Sequence, residues 1–180
     1  MTDLSASRDN LDIPASGSVK FFLRLYNAEH AETLPSDFSL TVAAVSQSWT
    51  EGVGLDMETY LDIGPANWDT ASTDVTWTTA GGDYLNGAGD VVKNPNFIVG
   101  TEDIELDITD ITEQWLNNTV PHNGLGIYLS SSFEASSSSN LTGSARSYYT
   151  KKFFARDSEF FFKRPTIEAR WDSSNKDDAG

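Results

Sequence analysis

The chain has 180 residues, no cysteine, and 12 Lys+Arg against 27 Asp+Glu, a formal net charge of −15. Such a charge repels phosphate, so nucleic acid is excluded as a partner of the general surface, and disulfides and thiolate metal sites are excluded outright. The length suits one two-layer domain that buries roughly 70% of its unfolded surface, and no apolar run approaches the roughly 20 residues of a membrane span or the core of a signal peptide, so neither membrane insertion nor autonomous secretion is expected.

In chain order, residues 1–18 are polar and residues 19–26 carry the first periodic signal. There Val19, Phe21, Leu23 and Leu25 alternate with Lys20, Phe22, Arg24 and Tyr26, which predicts a strand with the first set in the core. Phe38, Leu40, Val42 and Ala44 repeat the pattern and are expected to pair with the first run as a hairpin, leading to Trp49 and a Thr50-Glu51-Gly52 turn. Residues 79–100 hold five glycines and read as a wide crossover loop. Ile104, Leu106 and Ile108 alternate with Glu105 and Asp107, giving a strand with one dry face and one solvated acidic face.

One short helix follows. Thr109 or Asp110 can cap it, Glu113 stands in capping-box spacing from Asp110, Ile111 and Trp115 share a face, and it should end near Asn117-Asn118. The serine-rich run 134–147 (EASSSSNLTGSARS) reads as an exposed loop. Residues 148–164 concentrate five of the 12 cations and five of the 10 phenylalanines. They form either a strand pair whose cations meet neighbouring acids or an interface, because Phe160, Phe161 and Phe162 cannot all face one core. These elements define an all-β protein, an antiparallel β-sandwich with one short helix, spanning residues 19–171 between a polar N-terminal segment and a polar tail at 172–180.

The order in residues 101–171 is an acidic strand, a helix with Trp115, a turn at Asn123-Gly124, a strand, and the ending Lys163-Arg164-Pro165-Thr166-Ile167-Glu168-Ala169-Arg170-Trp171. It resembles the second half of the DNRLRE family of β-sandwich domains, and in phrasing the DNRLRE-like structural proteins of marine tailed phages. The resemblance runs from about Asn10 to Trp171. It implies a jelly-roll-like sandwich, a helix across one end with its tryptophan between the sheets, and a virion protein assembled in the host cytoplasm. It departs at the start, where the family's apolar first strand gives way to a polar stretch with Thr2-Asp3-Leu4-Ser5. That stretch is read as the remnant of a first strand, either begun late or completed by a neighbouring chain.

Chemistry-bearing motifs are few. His30 and His122 lie far apart, and there is no G-x-S-x-G elbow, HExxH, EF-hand or P-loop. Carboxylates from Asp56, Glu58, Asp62, Asp69, Asp74 or Asp107 could pair as in a glycosidase, but among 27 acids such meetings arise by chance, and no enzyme is expected. Oxygen ligands recur at Asp83, Asn86 and Asp90 without calcium-loop spacing, so no cofactor or metal is assigned. Trp49, Trp77 and Trp115 read as core, whereas Trp68, between Asn67 and Asp69, is the candidate glycan contact of an alternative carbohydrate-binding module. The expected function is a non-enzymatic virion protein of the capsid decoration, neck, tail or fibre. It would associate as a homo-oligomer or with other virion proteins through Leu4, Leu11, Ile13, Phe133, Arg146, Tyr148, Phe153, Phe160, Phe161 and Phe162, with surface polysaccharide as a further possible partner.

Overall fold

The computed structural model describes residues 2–52, 64–129 and 150–172. Two antiparallel sheets face each other. In the first, β1 (Val19–Leu25) lies between β7 (Ile104–Asp107) and β9 (Thr166–Trp171). In the second, β2 (Phe38–Ala44) pairs with β8 (Leu125–Leu129) along one edge, and with β5 (Val92–Lys93) and β6 (Asn96–Phe97) along the other. Asn94 and Pro95 interrupt that second edge, as suits a proline, which has no N–H to give the ladder; the Pro95 carbonyl still accepts from the Leu40 N–H at 3.1 Å. A small hairpin, β3 (Thr70–Ser72) with β4 (Val75–Thr76), stands apart.

The alternation read from the sequence sets the core. Val19, Phe21, Leu23 and Leu25 are all buried and meet Phe38, Leu40, Val42 and Phe97 of the second sheet. Burying each such side chain stabilises the fold by about 1.5–3 kcal/mol. The hairpin expected between the first two runs does not form: β1 and β2 are the middle strands of opposite sheets. Each therefore has pairing partners on both edges, and the two meet through side chains instead of backbone hydrogen bonds.

The helix α2 (Thr109–Leu116) is where the sequence places it, with Ile111 and Trp115 buried. These two side chains pack with Ala44, Leu125 and Ile167, which come from both sheets, so the helix closes one end of the gap between them. Its start differs from the capping box. Ile108 holds the N-cap position and offers no side-chain cap; just before it, Asp107 accepts from the Thr109 N–H at 3.0 Å and the Thr109 hydroxyl at 2.6 Å, and Thr109 Oγ1 accepts from the Phe21 N–H at 2.9 Å. Glu113 is turned away, toward Arg8.

Arg8 belongs to a second helix, α1 (Thr2–Asp9), in the segment expected to be a strand remnant. Eight residues are too few for a stable isolated helix, so tertiary contacts must hold it. Arg8 donates from both terminal nitrogens to Glu113 at 2.7 and 2.8 Å, and Leu4 packs on the core. The Arg8 bond keeps the Glu113 carboxyl below its usual pKa. Leu11, left-handed at φ 63°, turns the chain after the helix so that Ile13 enters the core.

The outer face of the first sheet is ionic, and its acids, exposed as expected, are also paired with cations. Arg170 reaches Glu105 at 2.8 Å and Glu168 at 2.9 Å, Arg24 reaches Glu168 at 3.1 Å, and the Arg170 guanidinium lies 4.2 Å from the Phe22 ring centre. Bonds from Arg170 and then Arg24 bring the Glu168 carboxyl down to about 2.

Glu102 forms a second carboxylate clamp. Its oxygens accept the N–H groups of Ile98, Val99 and Gly100 at 2.7–2.8 Å, and these bonds, Val99 first, lower its pKa from 4.5 to about 2 against the opposing effect of desolvation. A carboxyl whose folded pKa is depressed contributes stability above its unfolded pKa, and that contribution is lost as pH falls through the folded value. Glu102→Gln should therefore be less stable than the parent at neutral pH, and the gap should narrow as pH falls from 4.5 toward about 2 in chemical-denaturation curves. A gap that is constant with pH would contradict the clamp.

Candidate functional site

Beyond Ala44, the end of β2 is sandwiched by loop backbone. The Leu85 N–H donates to the Ala44 carbonyl at 2.8 Å and the Ser46 N–H to Asp83 at 2.9 Å, while the Val45 N–H donates to Gly124 at 3.0 Å. This pairing sets residues 83–85 along the edge opposite β8, from which the Tyr84 ring reaches across to Gly126 on β8. The β3–β4 hairpin is tied to the same place: the Thr50 N–H donates to Ala71 at 2.9 Å and the Ala66 N–H to Thr50 at 2.8 Å. Asn67 holds the hairpin mouth, its side-chain oxygen accepting the N–H groups of Asp69 and Thr70 at 2.9 and 3.0 Å.

These elements gather aromatic rings around a cleft of about 1020 Å³, with an adjoining hollow of about 280 Å³. Trp68, 60% exposed, lines both, as do Tyr84 and Gly81. Trp49 and Trp77 line the smaller hollow and Tyr128 the larger. Trp49 and Trp77 thus leave the core to which the sequence assigned them; Trp49 is 42% exposed. Their indole N–H groups donate to the backbone carbonyls of Asn123 at 2.7 Å and Asn67 at 2.8 Å, which fixes the rings.

Two glycines make the arrangement possible. A Cβ on Gly81 would sit 2.9 Å from the Trp68 ring, so only glycine lets the indole lie this close to the backbone, where the Gly81 N–H also donates to the Trp68 carbonyl at 2.7 Å. On β8, a Cβ at Gly126 would sit 2.0 Å from the Tyr84 ring. Tyr84 fills that space, stacks on Tyr128 with centroids 4.4 Å apart and an interplanar angle of 18°, and donates its hydroxyl to the Gly81 carbonyl at 2.7 Å.

The polar part of the wall is mostly uncharged. Among the described residues, Asp83 is the only charged side chain lining the cleft. It accepts the Thr78 and Thr79 N–H groups, both at 2.8 Å, and these bonds, Thr78 first, lower its pKa, so it stays ionised. Asn86 donates to the Tyr128 hydroxyl at 3.2 Å, and Asp90 accepts the Gly87 N–H at 2.8 Å. The oxygen-bearing side chains considered for calcium are thus engaged in turns and in the cleft wall.

The residues expected at an interface separate into three sets. Ile13 is buried and so leaves the expected surface, whereas Leu4 and Phe153 are partly buried against the core. Phe153 instead bridges to Asn27 beyond the end of β1. Leu11 and Phe160, Phe161 and Phe162 are exposed, the three phenylalanines at 54, 68 and 89%. No strand carries them: Phe161–Lys163 is a turn of 3₁₀ helix before β9. Phe133, Arg146 and Tyr148 and the serine-rich loop lie outside the described residues, as do Asp56, Glu58 and Asp62.

Comparison with protein-family models, with curated proteins and with solved structures finds no match for the chain.

The tyrosine stack gives a direct test of the cleft's construction. Gly126→Ala should displace Tyr84 and lower stability by about 1–3 kcal/mol in urea denaturation, the usual cost of overpacking. Unchanged stability, with the tyrosine near-ultraviolet circular dichroism also unchanged, would contradict it.

Proposed function

We propose that the chain is a non-enzymatic structural protein of a phage particle, a sandwich that decorates or connects other virion proteins through direct contacts. The observation that carries this reading is the turn at Phe160, Phe161 and Phe162, which leaves three consecutive rings exposed. Contiguous apolar exposure of this kind marks contact surfaces. The turn is also cationic: Lys163 Nζ lies 4.8 Å from the Phe154 ring centre, and the Arg164 guanidinium 5.4 Å from that of Phe161. An acidic patch on a partner suits it. A stable contact would bury about 1,600 Å² in total.

The resemblance to the DNRLRE-like proteins of tailed phages supports the same reading. A carbohydrate-binding role is the second reading, favoured by the exposed rings of the Trp68 cleft.

Mass spectrometry of purified particles of the encoding phage tests the proposal. The chain should remain in particles after high-salt washing. Abundance in the infected lysate without retention in washed particles would show the reading to be wrong.

A further inference from the structure

Resting on the carbohydrate-binding reading of the Trp68 cleft, we infer that this cleft binds a neutral polysaccharide, at a site separate from the protein contacts proposed for the Phe160–Phe162 turn. The two hollows, about 1020 and 280 Å³, are close to the size of small-ligand sites and share Trp68, Gly81 and Tyr84 in their walls, so a ligand longer than one ring can meet rings that border both. An exposed indole face offers apolar stacking to the C–H face of a sugar ring. The rings that form the site are already held: Trp49 and Trp77 by their N–H bonds, Tyr84 by Gly81 and Tyr128. Little side-chain freedom is left to lose on binding, which favours affinity.

The polar wall selects the class of ligand. Ser46, Gln47, Thr78, Thr79 and Asn86 present hydroxyls and amides, groups that both donate to and accept from sugar hydroxyls. The single charged side chain among the described lining residues is the Asp83 carboxylate, and the chain as a whole is at −15. Sulfated or carboxylated polysaccharides and phosphate-bearing ligands therefore meet repulsion with no cation in the described wall to offset it. A neutral glycan meets none. The rival occupant is a proline-rich peptide, since such segments also dock in aromatic grooves.

Affinity electrophoresis of the full chain in native gels tests this. The gels would contain neutral polysaccharides (mixed-linkage β-glucan, laminarin, galactomannan, xyloglucan) or the anionic alginate and carrageenan. At least one neutral polymer should retard the chain, and the anionic ones should not. Trp68→Ala should weaken retardation about tenfold, the loss expected for one stacked ring, while Trp68→Phe, which keeps a ring, should retain most of it. Thermal melting of each variant confirms that it folds, and Phe161→Ser should leave retardation unchanged. The inference is overturned if no neutral polymer retards the chain, or if retardation survives Trp68→Ala in full. It is equally overturned if a proline-rich peptide quenches the tryptophan fluorescence of the parent but not of Trp68→Phe while the polysaccharides do nothing. None of these outcomes bears on retention in particles, so the two proposals fail independently.

Discussion

The burial of one face of β1 against one face of β2 is the constraint on which the structure depends. Phe21 and Val42, both fully buried, lie on strands with partners on both edges, so neither sheet can slip without exposing its apolar set to water. The opposite faces are then free to differ. The first sheet turns an arginine–carboxylate ladder outward; beyond the end of β2, the second supports the loops that carry the aromatic cleft. A site of exposed rings needs such a platform, because rings without fixed backbone around them would collapse on one another.

Lys151 joins the two layers near the opposite end from α2. Its Nζ donates to Asn27 Oδ1 at 2.7 Å and to the carbonyls of Gly100 and Glu102 at 2.9 and 2.8 Å, and lies within 5 Å of the ring centres of Phe97 and Phe153. Burial lowers its pKa, an effect that Glu102 and Asp103 oppose. Three hydrogen bonds and two ring faces replace much of the water the ammonium gives up. The same Glu102 holds the loop before β7, so one cation and one carboxylate fix the crossover between the sheets.

Legibility followed periodicity. The inner faces of β1 and β2 and the buried side of α2 could be read because alternation and i, i+4 spacing reflect burial directly. Pairing could not: the apolar pattern of β1 is equally satisfied by a hairpin partner or by a strand of the facing sheet. The helix α1 carries little apolar periodicity, and its anchor, Arg8 to Glu113, spans 105 residues. Trp68 was recognisable from its polar neighbours. Trp49 and Trp77 were not, since a tryptophan ending a strand-like run looks the same whether it enters the core or lines a hollow. Tyr84 and Tyr128 stack only because Gly126, two residues before Tyr128 on β8, makes room for a ring that arrives from a distant loop, a relation that no local pattern announces.

The account's central claim is that the Phe160–Phe162 turn is a surface that another protein covers. Hydroxyl-radical footprinting reads those rings directly, in the purified chain and in intact particles. The account predicts strong oxidation of Phe161 and Phe162 in the isolated chain and marked protection of both in the particle. Equal oxidation in the two states would contradict it.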